Sequence, residues 1–100
     1  MPATRSASMS IILAIPAPYR KLSGGKAELT LTASDVRQAI ASIQRDYPEL
    51  AARLLTAKGS LNPYVSLYLN GNHLHGEAGL SHPLKDGDRL LMMPVVGGGH

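Results

Sequence analysis

Apolar side chains fall along this chain in two rhythms, one of period two and one of three to four, and each rhythm predicts an element. Residues 9–15 (MSIILAI) are aliphatic and partly β-branched and run into the breaker Pro16-Ala17-Pro18, which predicts a first strand. Residues 27–33 (AELTLTA) alternate polar Glu28, Thr30 and Thr32 with apolar Leu29 and Leu31. That is a strand with one wet face, paired to the first as a hairpin across a loop ending in Ser23-Gly24-Gly25-Lys26. Ser34 then supplies an N-cap, and Asp35 puts negative charge at the positive end of a helix dipole. Val36, Ala39, Ile40, Ile43 and Tyr47 follow at spacings of three and four, giving that helix one apolar face. Pro48 is expected to stop or kink it, because proline has no N–H to donate and disfavours helical backbone at Tyr47. Proline is tolerated in a first turn, so a second short helix is expected over residues 49–55, ended by Lys58-Gly59-Ser60.

The second half begins with the clearest strand, residues 64–69 (YVSLYL), in which Val65, Leu67 and Leu69 point to one side and Ser66 and Tyr68 to the other. Asn70-Gly71 is a hairpin turn, and residues 72–75 form a short partner strand. Gly76 and Gly79 predict irregular backbone up to Leu80. A turn over Pro83, Leu84, Lys85, Asp86, Gly87 and Asp88 leads into residues 89–95 (RLLMMPV). Their continuous apolar character predicts a last strand buried on both faces. The order β-β-α-β-(short β)-β predicts an α+β fold with one main helix packed across one mixed sheet.

Length holds this to one domain: 100 residues suit a single core. The expected organisation is a flexible N-terminal leader over residues 1–8, a domain over 9–96 and a flexible glycine-rich tail over 97–100. Four Tyr are the only aromatics, so the core is built from Leu, Ile, Val, Met and Ala. The absence of Cys excludes disulfides, thiolate metal sites and cysteine nucleophiles. Net charge is +3, but six basic and four acidic residues in the first half and four and three in the second leave no basic block. A nucleic-acid partner is therefore not expected. The apolar run from Ile11 to Ile15 is shorter than the ~7–15 residues of a signal-peptide core, and nothing approaches the ~18 of a membrane span. A cytoplasmic protein without membrane contact is expected.

Few side chains offer chemistry. His73 and His75 share a strand face and could ligate a metal, but no third ligand is evident, and exposed edge histidines are the commoner case. No metal site is expected. Asp86-Gly87-Asp88 lacks the further acidic ligands of a calcium loop, and Ser23-Gly24-Gly25-Lys26 lacks both the spacing and the following helix of a phosphate loop. No carboxylate pair or Ser/His/Asp set points to an enzyme.

The chain ends Val95-Val96-Gly97-Gly98-Gly99-His100. Taken alone, this glycine run is either a loose terminus, with His100 a tag remnant, or a tail narrow enough for another protein's tunnel. In the second case, residues 95–98 would reach roughly 13 Å at about 3.3 Å per residue.

The Tyr47-Pro48 break with Leu50 beyond it, the strand 64–69 followed by Asn70, the turn Leu84-Lys85-Asp86-Gly87-Asp88 and the ending Pro94-Val95-Val96-Gly97-Gly98 stand in a telling order. With these residues the chain resembles the ubiquitin-like, β-grasp sulfur carriers of the ThiS/MoaD superfamily. It is most similar to the longer members that serve cysteine and homocysteine synthesis. The resemblance implies a protein co-substrate, not an enzyme, that binds no cofactor itself and whose reactive group is its C-terminal carboxylate. An adenylyltransferase resembling ubiquitin-activating enzymes would use ATP to activate Gly98, next to Gly97. A sulfur donor would displace AMP to leave a thiocarboxylate, and a PLP-dependent sulfhydrylase or another acceptor enzyme would take the sulfur. Gly99 and His100 exceed the family pattern, so a JAMM-type zinc metalloprotease is expected to cut after Gly98, with Gly99 the alternative terminus. Other members serve molybdopterin, thiazole, tRNA thiolation or siderophore synthesis, or modify proteins. The expected partner surface is the sheet face opposite the helix, with Tyr68 as a rigid contact, Arg89 and Lys85 as rim charges, and Val95 and Val96 leading into the tail.

Overall fold

The protein is described from a computed structural model over residues 9–95. Five strands occur among them: β1 (Ser10–Ala14), β2 (Glu28–Thr32), β3 (Val65–Leu69), β4 (Asn72–Leu74) and β5 (Arg89–Pro94). The helices are α1 (Val36–Asp46), α2 (Pro48–Leu54) and α3 (Gly76–Leu80), and a 3-10 helix spans Ala17–Ser23. The strands form one sheet in the order β2-β1-β5-β3-β4. β1 and β2 make the expected antiparallel hairpin, with Leu13 opposite Leu29 and Ile11 opposite Leu31. β5 enters the centre, parallel to β1 and antiparallel to β3. Antiparallel hairpins around one parallel central pair, with a helix crossing the sheet, constitute the β-grasp arrangement.

Strand period decides what is buried. Leu29 and Leu31 of β2 lie in the core while Glu28, Thr30 and Thr32 are exposed. Val65, Leu67 and Leu69 of β3 are buried against the same helical layer. Val36, Ala39, Ile40 and Ile43 return the contact from α1, and Leu50, Ala51 and Leu54 from α2. This one-sided core is entirely aliphatic apart from Met92, so truncating a central residue such as Leu67 to Ala costs about 2–5 kcal/mol. No helix among the described residues is long and apolar enough to cross a membrane.

Three expectations need correction. The N-cap of α1 is Asp35, not Ser34: its backbone is extended, and its carboxylate accepts from Gln38 N at 2.8 Å. Ser34 sits one residue earlier and donates to the Gln38 side chain from both its N–H and its hydroxyl, so the two neighbours divide the capping work. The stretch expected to be irregular is α3, one short helix whose Gly79 and Leu80 are buried. Gly79 is needed because an added Cβ would sit 3.0 Å from Leu74 Cβ and 3.1 Å from Leu74 carbonyl carbon. Finally, β5 is buried on one face only: Leu90 and Met92 are in the core, whereas Leu91 and Met93 are exposed. An apolar strand is covered on both sides only where helices lie on both sides, and here they lie on one.

Candidate functional site

The uncovered face of the sheet is where the expected contact residues gather. One row of side chains crosses all five strands, from Glu28 through Ala14, Leu91 and Tyr68 to His73. Beside it, Ser66 of β3 lies opposite Met93 of β5. The middle of this face is apolar, with Leu91, Met93 and Val95 between 36% and 46% exposed. Tyr68 is half-buried among them, and its ring meets that of His73 at 5.1 Å between centroids. The ring is thus held on both sides, by Leu91 and by His73, in the posture of a rigid amphipathic contact.

Arg89 is on the same face, but it is not a free rim charge. Its guanidinium forms an ion pair with Glu28 across β1, both side chains being half exposed. Lys85, the other expected rim cation, is exposed in the turn before β5. Val95 continues past the end of β5 and still donates its N–H to Tyr64 O at 3.0 Å, so the chain holds its line along β3 to that point. Val96, Gly97, Gly98, Gly99 and His100 lie outside the described residues.

The turn before β5 is anchored more firmly than its sequence indicates. Asp88 is buried, and its carboxylate accepts from Lys85 N at 2.7 Å and from the Asn70 amide at 3.0 Å. These bonds, the backbone one first, hold its pKa below the ordinary carboxylate value. Asn70 also accepts from Arg89 N at 3.0 Å, so the β3–β4 turn and the start of β5 share one polar lock. Sequence reading assigned each segment as a turn and missed that they meet.

Leu91 and Met93 were also missed as contact residues. The available signal was the number of layers: a strand apolar on both faces beside helices enough for only one must expose the other. No group of three or more metal-ligating side chains occurs among the described residues. What the arrangement offers is an apolar strip on the sheet's middle strands, aligned with the strand from which the glycine tail follows.

The sheet order and the helices packed across one face define a β-grasp domain of the ubiquitin-like kind. The chain belongs to the ThiS family, which it matches over residues 13–99. It is 26% identical over 93 residues to the Sulfur carrier protein CysO of Mycobacterium tuberculosis, covering 91% of this chain and all of the relative. It is 30% identical, with the same coverage, to Small archaeal modifier protein 3 of Haloferax volcanii. Among solved structures, a chain of the BexX/CysO complex from Amycolatopsis orientalis superposes with a TM-score of 0.79 at 27% identity, covering 89% of this chain and 99% of that one.

Proposed function

We propose that this protein is a sulfur carrier, a protein co-substrate whose C-terminal glycine carboxylate is activated and converted to a thiocarboxylate for biosynthesis of a sulfur-containing amino acid. The observation that carries this reading is the course of β5. The strand runs through the centre of the sheet, exposes Leu91 and Met93 beside Tyr68, and leads through Val95 into a run of glycines. A partner that docks on the strip receives the tail along the same strand. The name of the Mycobacterium tuberculosis relative supports the carrier role, and the Amycolatopsis complex supports a partner protein for such a chain.

The chemistry follows from the poor reactivity of a carboxylate. An adenylyltransferase would transfer AMP from ATP to the terminal glycine, releasing pyrophosphate, and a sulfide donor would displace AMP to leave sulfur on the acyl carbon. The carrier itself contributes positioning: docking turns a dilute encounter into a local one. A chain ending in the imidazole of His100 presents the wrong carboxyl, so a zinc metalloprotease of the JAMM type would first expose Gly98, with Gly99 the alternative. A PLP-dependent sulfhydrylase would then accept the sulfur.

The 30% identity to an archaeal modifier favours one second reading, in which the activated glycine forms an isopeptide bond with a lysine of another protein. Intact-mass measurement after incubation with the activating enzyme, ATP and a sulfide donor separates the two. The carrier reading requires a product in which one oxygen is replaced by sulfur and which a sulfhydrylase consumes. Branched Gly-Gly peptides on other proteins, without that product, would replace it with the modifier reading.

A further inference from the structure

At the β4 end of the same sheet face, bordering the apolar strip, two imidazoles converge. His73 Nδ1 and His75 Nε2 are 3.0 Å apart, and the rings stand edge to face, 79° between planes with centroids 4.0 Å apart. Two imidazole nitrogens bound to one cation at about 2.0–2.1 Å lie about 2.9 Å apart at a right angle and about 3.4 Å apart at a tetrahedral one. The observed spacing is that of a hydrogen bond between the rings, and it lies within about 0.1 Å of the right-angle value that tetragonal Cu2+ and Ni2+ take. We propose that His73 and His75 form a chelating site for a tetragonal divalent cation, binding Cu2+ before Ni2+ and both before Zn2+.

Both ligands are held by the fold. His73 is a strand residue paired with Tyr68, whose ring tilts against the imidazole. His75 follows the last residue of β4 and is the extended N-cap of α3. The pair opens onto a hollow of about 290 Å³, bounded also by Asn62, Ser66 and Val95, with no lysine or arginine in its lining to repel a cation. The 3.0 Å contact requires a proton on one of the two facing nitrogens. Chelation moves that proton to the far nitrogen of the same ring, leaving both facing lone pairs free for the metal. His82 serves as an internal control, because its Nδ1 is engaged 2.8 Å from Pro83 O.

The test is Cu2+, Ni2+ and Zn2+ titration of the tag-free full chain by calorimetry, with paramagnetic broadening of the imidazole NMR signals by Cu2+. One Cu2+ per chain is expected, with His73 and His75 broadened first. His73→Asn and His75→Asn each should weaken binding by at least about tenfold. His82→Asn and His100→Asn should bind as the parent does. Both site histidines are exposed, so the variants should melt as the parent does. Full Cu2+ affinity in the doubly substituted chain, broadening centred on His82 or His100, or tighter binding of Zn2+ than of Cu2+ would each overturn the site.

Discussion

The side-chain amide of Asn70 donates to the buried carboxylate of Asp88 at 3.0 Å and thereby ties the β3–β4 turn to the residue before β5. Asn70 is at φ +49°, a left-handed conformation that Asn tolerates, and Gly71 follows at +89°. The same Asp88 carboxylate caps Lys85 N, so one anion closes the turn that aims β5.

Removing that anion destabilises the protein in a pH-dependent way. The folded pKa of Asp88 is depressed, so its contribution is present above the ordinary carboxylate pKa of 3.8 and is lost as pH falls through the lower folded value. Asp88→Ala, which leaves the Asn70 and Lys85 donors unpaired, should cost about 1–3 kcal/mol at neutral pH. Urea unfolding of parent and variant across the acid limb checks this: the two curves should converge at the lowest pH. A gap that stays constant would mean that the loss is packing and not charge.

Gly79 should resist a side chain. The Cβ of an alanine there would lie 3.0 Å from Leu74 Cβ and 3.1 Å from its carbonyl carbon, so Leu74 and the β4 main chain would have to shift by a few tenths of an ångström. Gly79→Ala should therefore cost about 1–3 kcal/mol through overpacking. Gly59→Ala is the comparison, since it meets nothing within 4 Å and feels only its positive φ of +84°. Thermal melts should rank Gly79→Ala below Gly59→Ala.

How far the sequence could be read depended on whether the deciding contact was local. The alternation of Leu29 and Leu31 with threonines, the Asn70-Gly71 turn and the Pro48 break state their own conformations, and all three appear in the fold. The second face of β5 does not, because Leu91 and Met93 are chemically the same as Leu90 and Met92 and differ only in having no helix above them. α3 escaped notice for a related reason: its glycines read as breakers, and Gly79 is glycine because of Leu74, five residues back on another element. Tyr68 was placed correctly on the open face, whereas the engagement of Arg89 by Glu28, 61 residues away, left no trace in the spacing.

The apolar strip can be tested apart from stability. Leu91 and Met93 lie outside the core on the open face, so Leu91→Asp and Met93→Asp should still fold and melt cooperatively, at a lower temperature for the lost cross-strand contact. If the strip docks the activating enzyme, each should weaken that complex at least about tenfold, or about 1.4 kcal/mol. Binding isotherms with the activating enzyme, read beside the melts, give the answer. Unchanged affinity in folded Met93→Asp would move the docking surface elsewhere. Arg89→Ala should have a smaller effect on that complex, because its guanidinium is already engaged by Glu28 and a rim charge mainly sets association rate.

The proposed carrier chemistry makes the last residue decisive, and the sequence runs two residues past Gly98. Three chains, ending at Gly98, at Gly99 and at His100, share residues 9–95 unchanged, so with equal melting temperatures a difference in activation among them reports on how the end reaches the activating centre. A tunnel shaped for glycine admits no Cβ, and the reacting carboxyl must arrive at a fixed distance from the docked domain; one added residue displaces it by about 3.3 Å. A displacement of that size exceeds the tolerance of an in-line attack on a nucleotide phosphate. The chain ending at Gly98 should therefore release pyrophosphate from ATP in the presence of the activating enzyme, and the chain ending at His100 should not. Activity confined to the chain ending at Gly99 would move the cut by one residue and leave the carrier role standing, whereas equal activity of all three would remove the need for processing.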